Sequence, residues 1–147
     1  MGMDHMESAK IPIIKLYDSL VVSIQVALSD PVIARLKDDI TEEIQRTGAR
    51  GLVIDVSGID VMDSYISRAI RDIGIIARLM GVRTVISGMD PMIAMTLVEM
   101  GMDLKGVHTE LNLESALELI EDLGTEDEED EEDEENGLET TGEEQDG

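Results

Sequence analysis

Two short runs, the densely apolar Leu52 to Val56 and the strand-like Val82 to Ile86, flank a longer segment whose apolar residues recur at helical spacing. The first reads as a strand buried on both faces, as in a parallel sheet, and the second as another strand. Only Asp55 interrupts the first. Between them, Ile66, Ala69, Ile70, Ile73, Ala77 and Met80 form one apolar stripe of a helix, and Gly81 ends it. Strand, amphipathic helix and strand in that order make a crossover between parallel neighbours, right-handed by the general rule. This unit sets the class as α/β.

The flanking segments extend the same pattern. Residues 13–17 and 19–27 read as two short strands, the second alternating polar and apolar, with Asp18-Ser19 as the turn between them. Ser29-Asp30-Pro31 is a helix start, a capping residue followed by proline. Ile33, Leu36, Ile40 and Ile44 continue that helix to Gly48. Asp90-Pro91 opens a third helix running through Met100 to Gly101. Val107-His108-Thr109 reads as a short last strand. Asn112 caps a fourth helix with Leu113, Ala116, Leu117 and Ile120 on its inner face, ended by Gly124. The expected order is ββαβαβα(β)α, a mixed, mainly parallel β-sheet with helices packed against it and an antiparallel edge from the first hairpin. A two-layer sandwich is the expected layering at this size.

Charge divides the chain into parts. Of 147 residues and a net charge of −23, residues 124–147 contribute 14 acids and no Lys or Arg, including ten consecutive acids from Glu126 to Glu135. Such a block repels itself, so 124–147 is expected to be a disordered acidic tail. Residues 1–10 are expected to be a flexible N-terminus without a signal peptide, and 11–123 one domain large enough for a single core. With no Phe or Trp, and Tyr17 and Tyr65 as the only aromatics, ten Met must help fill that core. The lack of stacking aromatics and the negative charge argue against nucleic-acid binding. The absence of cysteine excludes disulfides, thiolate metal sites and cysteine catalysis, and fits a cytoplasmic setting. No run of apolar residues is long enough for a membrane span.

The segment from Val53 to Ser64, VIDVSGIDVMDS, most resembles a functional site. An apolar strand leads into an acidic loop that ends in Asp63-Ser64 at the start of a helix. Three roles are open to Ser64: a helix cap, a nucleophile, or a switch. The nucleophile lacks a base, because the histidines are His5 near the start and His108 far along the pattern, and no Gly-x-Ser-x-Gly elbow surrounds Ser64. A cation site could draw on Asp55, Asp60 and Asp63, but their spacing matches no calcium loop, and no glycine-rich phosphate motif occurs. No catalytic residue, cofactor or metal is therefore expected. A switch needs less. A phosphoryl group on Ser64 would add about −1.5 to −2 charges at a position the helix dipole tolerates, beside Asp60 and Asp63, which do not. Tyr65 follows directly and suits a contact surface.

The element order and VIDVSGIDVMDS resemble the STAS domain, named for sulfate transporters and anti-sigma-factor antagonists. IPIIKLYDSLVVSIQ and LMGVRTVISGMDPMIAMTLVEMGMDL are similar to the RsbS-type stressosome scaffold branch of that family. The likeness covers about residues 11–123 and leaves out the acidic tail. It implies a non-catalytic scaffold that self-associates into a large complex with RsbR-type co-antagonists. It also implies that an RsbT-type serine kinase is held there, phosphorylates Ser64 and is released, and that a serine phosphatase reverses this. Simple antagonists carry Asp-Ser-Ser-Gly where this chain has Asp-Ser-Tyr-Ile. That difference favours the scaffold over a free antagonist binding an anti-sigma-factor kinase directly. RsbR-type proteins carry a second phosphorylated threonine, matching Thr96. An ordinary helical threonine remains the preferred reading there, Ser87 reads as a loop hydroxyl, and Met89, Met92, Met95, Met100 and Met102 read as core filling before interface.

Overall fold

The computed structural model describes residues 11–25, 28–60, 62–99, 101 and 107–124. The expected N-terminal segment, the acidic tail beyond Gly124, His5, the end of the second strand at Val26 and Ala27, Met100 and Met102 lie outside the described residues. The elements are β1 (Ile13–Leu16), β2 (Ser19–Ser23), α1 (Asp30–Thr47), β3 (Gly51–Asp55), α2 (Ser64–Leu79), β4 (Arg83–Ser87), α3 (Pro91–Glu99) and β5 (His108–Glu110). A final helix, α4, covers residues 113–124.

The five strands stand in sequence order, β1-β2-β3-β4-β5. β1 is antiparallel to β2, and each later pair is parallel. Each crossover therefore adds its strand on the same side, and the right-handed rule puts α1, α2 and α3 on one face of the sheet. That face holds the larger core. Leu20, Val22 and Ile24 from the β2 segment, Leu52, Ile54 and Val56 from the β3 segment, and Ile86 of β4 meet Ile33, Leu36, Ile40 and Ile44 of α1, Ala69, Ile70, Ile73 and Ala77 of α2, and Ile93 and Leu97 of α3.

The opposite face is also covered, which departs from the two-layer expectation. Side chains alternate across a strand, so Val21, Val53 and Val85 point away from the larger core. They pack with Ala116 and Ile120 of α4. β2, β3 and β4 are apolar on both faces, and a single helical layer would leave their valines in water. Gly51 shows how closely α4 approaches. A Cβ there would sit 2.4 Å from Ile120 Cγ2.

The first turn is also one residue earlier than expected. Leu16 pairs with Ser19, so the turn is Tyr17-Asp18, with Tyr17 at φ 55. Ser19 opens β2 and is buried.

Candidate functional site

The parallel strands end together, and their C-terminal ends carry a hydroxyl–carboxylate cluster. Asp55 closes β3 beside Ser87, the last residue of β4. The Asp55 carboxylate accepts the Ser57 amide (3.2 Å), the Ser57 hydroxyl (3.0 Å) and, at 3.4 Å, the Ser87 hydroxyl. Ser87 is therefore a buried strand residue rather than a loop hydroxyl. Gly88 follows at φ +76, and a Cβ there would lie 2.8 Å from Ser57 Cβ and 2.9 Å from Asp55 Oδ1. The turn after β4 needs this glycine for its backbone conformation, and the turn after β3 needs it for space.

The loop then returns to the core. Ile59 packs against it, and Met62 is buried within it. Met62 fixes the chain immediately before α2. Asp63 is the N-cap, with extended backbone, and its Oδ1 accepts the Ile66 amide at 2.8 Å. Its carbonyl accepts the Ser67 amide at 3.1 Å and the Ser67 hydroxyl at 2.9 Å. The cap is thus Asp63, and Ser64 is the first helical residue, half-buried. Among the described residues the Ser64 hydroxyl makes no hydrogen bond. Tyr65 is 42% exposed, and its phenol donates to the Asp30 carboxylate at the start of α1. The structure thus brings Asp63, Ser64 and Tyr65 together at one helix start, with exposed Asp60 in the loop leading to it.

Other residues singled out by sequence fall elsewhere. His108 is exposed on the edge strand β5, paired in register with Val85. Among the described residues, Asp55, Asp60 and Asp63 form no group of three that could hold a metal ion. Thr96 is exposed on α3 and donates to the Met92 carbonyl at 2.8 Å. Met92 and Met95 are 71% and 60% exposed, against the core-filling expectation, while Met89 packs against the core. α3 is apolar on all sides, so its spacing could not reveal that Ile93 and Leu97 face inward. A groove of about 1350 Å³ lies at the other end of the sheet, between α4 and the starts of β2 and β4, and does not include Ser64.

Sequence reasoning missed two features here. Nothing local signals the bond from Tyr65 to Asp30, because the two are 35 residues apart. The Asp55–Ser87 pairing requires the register of β3 on β4.

Residues 10–116 match the family described as the STAS domain. The fold is similar to RsbS of Moorella thermoacetica, solved as a serine-to-glutamate variant, with a TM-score of 0.68 and 36% identity, covering 78% of this chain and 97% of that one. A chain from the molecular architecture of the stressosome, described as a signal integration and transduction hub, has a TM-score of 0.68 and 38% identity, covering 77% and 98%. Among curated proteins, the RsbT co-antagonist RsbRD of Bacillus subtilis is 38% identical over 66 residues, 45% of this chain. The chain spans only 24% of that relative's length.

Proposed function

The chain belongs to the STAS-domain family, and we propose that it works as a stressosome scaffold of the RsbS type. In this reading it acts by contact rather than catalysis, in the cytoplasm. It assembles with its own kind and with RsbR-type co-antagonists and sequesters an RsbT-type serine kinase. The kinase phosphorylates Ser64 and leaves, and a serine phosphatase resets the site. Among the described residues no helix is long and apolar enough to cross a membrane.

The observation that carries this reading is the division of labour at α2. Asp63 supplies the cap, so the Ser64 hydroxyl has no structural duty that modification would disturb. A phosphoryl group there sits at a helix N-terminus, which favours an anion. It also gathers negative charge beside Asp60 and Asp63, next to the half-exposed Tyr65. The outer surface changes sharply while the helix keeps its cap. Likeness to RsbS over 97% of that chain adds support. Thr96 is a weaker second site, because its hydroxyl is engaged by the Met92 carbonyl.

The test combines mass spectrometry of the kinase-treated protein with kinase binding to wild type, Ser64→Ala and Ser64→Asp. Phosphate on Ser64, retention by Ser64→Ala and roughly 5–150-fold weaker binding by Ser64→Asp are expected, the usual scale of a coupled switch. Equal binding and release by all three proteins would sink the reading. Size-exclusion chromatography with an RsbR-type partner separates it from a free antagonist, which would stay monomeric.

A further inference from the structure

Arg68 stands four residues after Ser64, on the same face of α2. Helical side chains lean toward the N-terminus, so the long Arg68 side chain covers the turn that Ser64 begins. Arg68 is exposed. Among the described residues it makes no hydrogen bond or ion pair, although the chain has a net charge of −23. Three carboxylates of this region have other partners. Asp72, one turn further on, lies 3.6 Å from Lys37 Nζ and 4.0 Å from Arg71 Nε. Asp30, lining the same groove between α1 and α2 as Arg68, accepts the Tyr65 phenol. Asp63 accepts the Ile66 amide.

We infer that Arg68 is the internal ligand of a phosphoryl group on Ser64. The inference rests on the modification of Ser64 proposed above and names what receives the new charge. A guanidinium presents a planar fork that fits two phosphate oxygens. Without such a partner, only the N-terminus of α2 offsets the repulsion of the added dianion by Asp60, Asp63 and Asp30, while Lys37 is held by Asp72 and Arg71 lies a further turn along α2. With Arg68 in place, modification closes a contact within the protein and withdraws a cation from the surface beside Tyr65. The switch thus removes a positive contact from that surface as well as adding a negative one.

The test uses the full chain with phosphoserine installed at position 64 during translation, so no kinase is needed. Phosphorus NMR titration reads the second ionisation of the phosphate. Arg68→Gln raises that pKa by roughly half a unit, the scale of an exposed pair. Arg68→Lys, which keeps the charge and loses the fork, raises it less. Arg78→Gln makes the same charge change about 20 Å away along the helix, beyond the ~8 Å screening length of physiological salt, and leaves the pKa in place. Equal values for Arg68→Gln and Arg78→Gln overturn the inference. A phosphorylated chain that shows the Arg68 shift yet still holds the kinase overturns the functional reading and leaves this one standing.

Discussion

The phenol of Tyr65 donates to the carboxylate of Asp30, tying the first turn of α2 to the first turn of α1. Tyr65→Phe keeps the ring and removes the donor. A loss of about 1 kcal/mol, the usual net value of one such bond, is expected in urea unfolding. Faster amide hydrogen exchange near Ile66 and Ser67 should accompany it, because the helix start loses its tether. Unchanged exchange would show that packing alone holds the two helix starts together.

Asp63 and Ser64 are neighbours with opposite structural weight. Asp63→Ala removes the acceptor for the Ile66 amide and should cost about 1 kcal/mol. Asp63→Asn keeps an acceptor and should recover most of that. Ser64→Ala should stay within about 0.5 kcal/mol of wild type, because no bond of its hydroxyl is lost. Thermal melts of the three variants check the ranking.

At Gly51, a Cβ would meet Ile120 at 2.4 Å on the face covered by α4. Gly51→Ala should destabilise by about 1–3 kcal/mol through overpacking. Adding Ile120→Ala, which removes both the Cγ2 and the Cδ1 that the new Cβ would meet, should make the added cost of Gly51→Ala smaller than in the wild-type background. A double-mutant cycle measures this, and strict additivity would mean the two residues do not touch in solution.

Thr84 is buried, and its hydroxyl has no partner among the described residues. Thr84→Val keeps the shape and removes the orphaned group, so a gain of about 1 kcal/mol is expected from chemical denaturation.

Much of the fold was legible because its signals are local. The stripe Ile66 to Met80, the Asp90-Pro91 start and the Gly48 stop each depend on residues within a few turns. Asp63-Ser64 stood out for the same reason, as a strand-to-helix junction in an acidic loop. The rest depends on distant neighbours. Whether Asp63 or Ser64 caps the helix depends on how the loop is placed, which the burial of Met62 in the core sets. That α4 covers the far face follows from the valines of β2, β3 and β4 taken together. The outward face of Met92 and Met95 is invisible in a helix that is apolar all round. That Arg68 makes no ion pair emerges only from the placement of Asp30, Asp63 and Asp72 around it.

The sequence order of the strands bears on how the chain reaches this state. Among the described residues each strand after β1 pairs with the one before it, so these pairings await no distant segment and loop-closure costs stay low for a parallel sheet. As the ribosome releases the chain, β1 and β2 can pair as a hairpin and β3 and β4 can then join in turn, with α1 and α2 closing the same side. α4 emerges after β5, and until it arrives Val21, Val53 and Val85 remain an open apolar strip. The vulnerable interval in this protein's life is therefore the one just before α4 docks, when that strip is open to other chains.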